Sequence, residues 1–441
     1  SNRMALSLLS KHSLDEMEGW ARNYFSDIKN RELKENKYET KVFETKKTIR
    51  IVQIEPVKDV RRITLSYFVP GVRLQYLQKP SKQLGLILGH QGENGLLSFL
   101  KNNGWATELY AGIRSETKQY DYAQITIELT KKGLREYKKV IEVCNAYIEL
   151  MKREGFQEHV FNELKTMAKL DEVYSNKGEG AGRAQRIANE LNMYSFNDAG
   201  RIGYAYGKPD PGSFDSLLSY FNPQNMLVLL NAKGLKTDKE EYYYKAKYSY
   251  LEDDSLYSVL SKNETVYNFK LPKPNHFIPK NVKIPNRDIK ENLKPSLIVK
   301  NKGTNIYFGK DHEFLRPKGV ISYKILFPKN KITLKHRAFL KIYIECVRES
   351  MNELGYPAKL AGLSYSIFDG YEGVYLNVNG YTESAINLYT IMLDHMGKIK
   401  ISDEKFLAIK DKIIRGYKNI PLSDAYQQAR EKNAEIYHNV K

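Results

Sequence analysis

The chain has 441 residues, of which 41% are hydrophobic, and a formal net charge of +18. That length and apolar content suit two or three domains with ordinary cores and exclude a disordered chain. No apolar run approaches the roughly 18 residues of a membrane helix, and the lysines are dispersed with no arginine-rich arm. Neither a membrane nor a nucleic-acid partner is therefore expected.

Residues 2–11 read as a strand, and no basic region or cleavage site precedes Met4–Leu9. Ser13-Leu14-Asp15-Glu16 is a capping box opening a helix with Trp20, Tyr24 and Ile28. Residues 29–47, rich in Lys, Glu and Asn, read as a linker. Strand patterns follow at 48–56 and 61–69. One long helix is predicted within 80–102, with Leu84, Ile87, Leu88, Leu96, Leu97 and Leu100 apolar. Strands are predicted at 106–113 and 121–129. Helix 133–153 places Leu134, Tyr137, Ile141, Cys144 and Ile148 on one face. Helices at 157–174, 182–193 and 212–220 precede a strand at 226–233. Residues 235–315 read as a long connector rich in Lys, Asn, Tyr and Pro. Beyond it come a strand near 318, a helix at 333–354, strands at 359–368 and 372–380, and helices at 382–397 and 402–415. Cys144 and Cys346 fall on apolar stripes and read as buried free thiols.

The chain also repeats itself. Gly104–Gly112 returns loosely as Gly355–Gly362, and Ile63–Pro70 matches Ile321–Pro328 in period and in its closing proline. A period of this size means duplicated domains, not a solenoid. The strand at 226–233 resembles the one at 2–11, Leu8–Lys11 against Leu229–Lys233. The expectation is the tail of one copy, one complete copy and most of another.

Three blocks carry a resemblance to a known family. They are Phe269–Pro279, Ala358–Tyr365, and Gly89–Ser98 with Gly104-Trp105. In this order they resemble the insulinase (insulysin/pitrilysin) zinc metallopeptidases along nearly the whole chain. The resemblance implies an α+β fold of tandem homologous domains, each an antiparallel sheet with helices packed on one side. Two halves of such a protein close into a chamber around a peptide. The implied division is a tail of a preceding catalytic-type domain at 1–33, a linker at 34–47, and a second, non-catalytic domain at 48–260. A connector at 261–315 and a partial third domain at 316–441 complete it. The implied partners are a peptide substrate and the remaining domains of the same protein.

Peptide hydrolysis by zinc needs two histidines on one helical face, a further ligand and a carboxylate. None of His12, His90, His159, His276, His312, His336, His395 and His438 has the partner spacing of the family's H-x-x-E-H helix. His312-Glu313 starts the other zincin motif, but Arg316 stands where its second histidine must be. Set against the family's catalytic helix, the motif positions fall on Leu86, Gly89 and His90. No metal site and no catalytic residue is therefore expected in this chain, and zinc is expected in the full-length parent. Two weaker features are read as structural. Gly178–Arg183 before a helix is a connector, not a phosphate loop, and Tyr242–Tyr244 belongs to an amphipathic interdomain segment.

The resemblance implies an exosite in the second domain that captures the substrate's N-terminal stretch as an added strand. Carried over, it falls on Gly85, Gly89, Leu109, Tyr110, Ala111 and Gly112. Ala111 stands where small, glycine-like residues are usual, and Ile113 replaces a polar residue. The functional expectation is a non-catalytic, substrate-binding segment of a peptide-degrading zinc metalloendopeptidase. The alternative is a peptidase-like protein that has lost catalysis and serves in binding or structure.

Overall fold

The computed structural model describes residues 2–34, 36, 43–115, 117–176, 178–262, 267–280, 282, 294–310, 314–328, 333–370 and 372–437. His312 and His438 lie outside the described residues. In chain order the elements begin with α1 (Leu14–Phe25), β1 (Ile49–Glu55), β2 (Arg61–Pro70), α2 (Pro80–Leu88) and α3 (Leu96–Asn102). Next come β3 (Ala106–Ser115), β4 (Tyr120–Leu129), α4 (Lys131–Arg135), α5 (Tyr137–Glu154), α6 (Glu158–Tyr174), α7 (Gly180–Leu191) and α8 (Pro211–Leu218). They continue with β5 (Met226–Ala232), β6 (Lys239–Glu240), β7 (Lys247–Asp253), α9 (Asp254–Lys262), β8 (Ser296–Asn301) and β9 (Thr304–Phe308). The last are β10 (Lys318–Leu326), α10 (Leu334–Leu360), β11 (Ser364–Asp369), β12 (Gly373–Tyr381), α11 (Thr382–Gly397), α12 (Asp403–Asn419) and α13 (Ala425–Tyr437).

The chain divides into two compact units, one of residues 1–272 with 414–441, the other of 273–413. In the first, seven strands run in the order β3-β4-β2-β5-β1-β7-β6. Every pair is antiparallel except β1 with β5, which is parallel. Alternation along the strands sends Ile63, Leu65, Tyr67 and Val69 of β2, and Ala123, Ile125, Ile127 and Leu129 of β4, to one face. There they share a core with Leu84, Ile87, Leu97, Leu100, Ile141, Cys144, Ile148 and Phe214 from the helices. Asn419 closes the unit by pairing both ways with the β1–β2 turn: Asp59 N–H donates to its Oδ1 at 3.0 Å, and its Nδ2 donates to Asp59 O at 3.2 Å.

The second unit holds a three-stranded antiparallel sheet, β10-β12-β11, and a separate β8–β9 hairpin. Val374, Leu376 and Val378 of β12 pack with Val347 and Met351 of α10 and Leu388 and Met392 of α11. The order β3-β4-β2 of the first sheet recurs here as β11-β12-β10, so the domain-scale repeat is present in the topology.

The connector block puts one phenylalanine in each core. Phe269 meets the rings of Phe99, Tyr147 and Tyr267 at 5.0, 5.3 and 5.4 Å. Phe277 lies in the second core, its carbonyl accepting from Ser384 Oγ at 3.1 Å. Asn275 braces it there, donating to Pro357 O at 2.7 Å.

Several expectations change. Residues 4–10 form neither strand nor helix, because an alternating pattern makes a strand only beside a partner that completes its hydrogen bonds. The capping box at Ser13 and Glu16 is present. The helix expected within 80–102 is two helices. Gly89, Gly92 and Gly95 weaken the run between them, and Asn94 takes a left-handed φ of 60°. The helix expected at 133–153 likewise breaks at Glu136. The stretch 235–315 is richer than a connector: β6, β7, α9, β8 and β9 all form in it. β7 pairs with β1 along seven residues, and its tyrosines favour a strand although only Ser249 is buried.

The largest correction concerns the repeat. α10 runs through Pro357 to Leu360, so Gly355–Leu360 is helix, and the strand expected at 359–368 begins only at Ser364. Its last turn closes with Leu363 N–H donating to Ala358 O and Gly362 N–H donating to Lys359 O, with Gly362 at φ 72°. α3 ends identically, with Trp105 N–H to Leu100 O, Gly104 N–H to Lys101 O, and Gly104 at φ 68°. Both are Schellman closures, which need a left-handed residue after the helix. Gly104 therefore corresponds to Gly362, not Gly355. Leu65, Ile125 and Ala111 sit in register across β2, β4 and β3, and Tyr323, Leu376 and Ile367 across β10, β12 and β11.

Candidate functional site

Among the described residues, β3 is an edge strand, paired on one side only, by β4. α2 lies against it. Pro80 at the first helical turn suits a fixed φ and no N–H, and Leu84, Ile87 and Leu88 bury into the core. Gly85 and Gly89, four residues apart, share a helical face. A Cβ at Gly85 would stand 3.4 Å from Gly112 Cα and 3.6 Å from Ala111 O. One at Gly89 would stand 3.6 Å from both N and O of Ala111. The two glycines thus leave the outer edge of Ala111 uncovered by side chains of their own.

Gln91, just after α2, donates from Nε2 to Leu109 O at 3.3 Å. That carbonyl therefore faces away from β4. Antiparallel alternation turns Ala111 and Ile113 the same way and Tyr110 and Gly112 toward β4. The six expected positions are brought together, but not equally. The Leu109 side chain is core, and only its carbonyl reaches the edge. Tyr110 stands on the face opposite Leu109 and is exposed.

That face is acidic beside the edge. Glu108 and Glu128 are cross-strand partners, an arrangement that repels unless compensated. Arg62 Nε donates to Glu128 at 2.5 Å, and Tyr110 Oη donates to Glu108. The Glu108 bond, with some burial, pushes the Tyr110 phenol up to about 12. Neither Gln91 nor Glu108 was assigned a role from the sequence. Gln91 stands within Gly89–Ser98, but only its hydrogen bond gives it one.

The positions aligned with a catalytic helix do not fit zinc. Leu86 is an apolar side chain packed on the core. Gly89 offers no ligand. His90 is buried, and Gly92 N–H donates to its Nδ1 at 3.0 Å, so the proton of the neutral ring sits on Nε2. Burial lowers His90 to about 4, which keeps it neutral. The imidazole also fills the space of a side chain at residue 92: a Cβ on Gly92 would lie 2.3 Å from His90 Cε1. Among the described residues, no group of three or more His, Cys, Asp or Glu could hold a metal. Cys144 is buried, and burial pushes its thiol up to about 12; Cys346 is buried and free.

Comparison with known proteins follows the same outline. The family model described as the middle or third domain of peptidase M16 matches residues 173–440, and the one described as the peptidase M16 inactive domain matches 1–168. The chain belongs to the peptidase M16 family. Insulin-degrading enzyme of Bos taurus is 28% identical over 432 residues, covering 97% of this chain and 42% of that protein. A-factor-processing enzyme of Saccharomyces cerevisiae is 27% identical over 433 residues, again 97% of this chain and 42% of that protein. The chain thus spans less than half the length of these curated relatives. The crystal structure of pitrilysin has the same fold, with a TM-score of 0.72 at 18% identity over 95% of this chain and 45% of that one. The M16 assignment agrees with the α+β architecture and with the insulinase resemblance. Among the described residues, no helix is long and apolar enough to cross a membrane.

Proposed function

We propose that this chain is the substrate-holding, non-catalytic part of a peptide-degrading M16 metallopeptidase, and that β3 receives the peptide as an added strand. One observation carries the reading: an edge strand whose outward Ala111 is flanked by two glycines, at each of which a Cβ would lie in van der Waals contact with its backbone. Backbone pairing supplies affinity with little demand on the peptide's sequence, which suits an enzyme that degrades varied peptides. The names of the relatives, insulin-degrading and A-factor-processing enzyme, point to peptides as the substrate class. Zinc and its hydrolytic carboxylate belong, in this reading, to another part of the parent protein, because Leu86, Gly89 and His90 provide one neutral imidazole and no carboxylate.

The test uses a short fluorescein-labelled peptide of alternating threonine and valine. It binds the chain, is recovered uncut, and loses binding when alternate residues are N-methylated, since strand pairing needs those N–H groups. Ala111→Pro deletes the outward donor at a position where an edge strand tolerates proline, and weakens binding. Equal binding of the methylated and unmethylated peptides refutes strand addition. One tightly held zinc per chain by metal analysis refutes the non-catalytic assignment.

A further inference from the structure

Both edge strands that follow a long helical segment carry a side chain on an outward carbonyl, but the two side chains differ. On β3, the neutral amide of Gln91 makes one bond to Leu109 O, at 3.3 Å. On β11, the counterpart of β3 in the repeated order, Arg348 of α10 makes two bonds to Ile367 O, from Nε at 3.2 Å and from a terminal nitrogen at 2.6 Å. Arg348 is held in place by Glu345 one turn earlier. A charged, two-point bond is worth about twice a neutral one, and Gln91 makes only a single long contact. Unpaired edge groups invite pairing with another chain, so how firmly they are covered decides which edge can accept one.

We infer that Gln91 is a displaceable plug on the β3 edge that sets how tightly a peptide is held there, whereas Arg348 closes the β11 edge. The inference rests on the strand-addition reading of β3. A peptide strand pairing beside β3 needs Leu109 O as an acceptor, and Gln91 Nε2 already occupies it. Docking that reaches Leu109 expels the amide into solvent. Docking that leaves the plug in place is confined to Ala111 and Ile113. Either way Gln91 lowers affinity for a strand without touching the rest of the edge. Its place is set by the glycine-rich turn after α2, where Gly92 N–H bonds His90 and Gly95 N–H bonds Gly92 O, so the amide returns to Leu109 O when the peptide leaves.

The experiment titrates the whole chain, as wild type, Gln91→Ala and Gln91→Leu, with the threonine–valine peptide, reading Kd by fluorescence polarisation. Circular dichroism checks that each variant is folded. Losing one neutral hydrogen bond, about 1 kcal/mol, corresponds to binding about fivefold tighter in both variants. Leucine keeps the volume of glutamine without its donor. A gain confined to Gln91→Ala therefore assigns the effect to space and overturns the plug. Unchanged or weaker binding in both variants, with the wild type still distinguishing the N-methylated peptide, overturns the plug and leaves the strand-addition reading standing. No binding by any of the three proteins overturns both. Arg348→Ala serves as the control on the other edge: tighter binding there that persists with Ala111→Pro reveals β11 as a second acceptor, as the inference predicts for an unplugged edge, and no change in the Arg348→Ala, Ala111→Pro double variant contradicts the role given to Arg348.

Discussion

Replacing His90 with asparagine flattens the acid dependence of stability. The native imidazole is buried, accepts from Gly92 N–H, and is lowered by that burial to about 4 from 6.5. Between those values the unfolded chain binds a proton that the folded chain refuses. Stability from this residue is therefore fully present above pH 6.5 and is lost as pH falls toward 4. At 1.36 kcal/mol per unit, the loss between pH 7 and pH 4 is about 3 kcal/mol. Asparagine places an oxygen where Nδ1 stands, keeps an acceptor for Gly92 N–H, and does not titrate. Urea unfolding at pH 7, 5.5 and 4, followed by tryptophan fluorescence, compares the two proteins. Trp105 reports directly, since it lies against the same core. The wild type loses about 3 kcal/mol more than His90→Asn across that interval. Parallel curves would show that folded His90 takes up its proton freely, and the account of a sealed, non-ligand histidine would fail.

The connector's two anchors give a second prediction. Phe269→Ala and Phe277→Ala each remove a buried ring, at a cost of about 3–5 kcal/mol. Hydrogen exchange then speeds in β3–β5 for the first and in α10–α11 for the second; the same pattern from both would contradict separate cores. The helix closure at Gly362 gives a third. Gly362→Ala forces a left-handed residue to carry a Cβ and lowers stability by about 1–2 kcal/mol, whereas Gly355→Ala meets Tyr365 at 2.3 Å and costs more by overpacking. No loss at Gly362 in thermal unfolding would contradict it as the repeat's left-handed turn glycine.

Much of the first unit was legible because its strands carry an alternating apolar face. β4 alternates in burial, β2 alternates in sequence from Ile63 to Tyr67 although Thr64 and Ser66 are buried as well, and each lies within a residue or two of its predicted bounds. β7 was not legible, because a strand near the sheet's edge buries only Ser249 and shows no apolar face. The repeat was visible but misaligned. Gly355-Tyr356 resembles Gly104-Trp105 in letters, whereas the shared physical requirement is a left-handed glycine after a helix, which Gly362 meets. Pro357 lies inside α10, which continues past it to Leu360, and Asn275 bonds its carbonyl. At the site, the glycines and β3 could be carried over from a resemblance. Gln91 could not be assigned, because its role depends on the turn of Gly89, Gly92 and Gly95 aiming its amide at one carbonyl.

The central claim is that a peptide joins β3 along its outer edge. Amide exchange at Ala111, measured with and without the threonine–valine peptide, tests it most directly. The account predicts that the Ala111 amide slows on adding the peptide, along with Ile113, while amides already paired to β4 at Tyr110 and Gly112 change little. Saturating peptide with no change at Ala111 would place the binding elsewhere and contradict it.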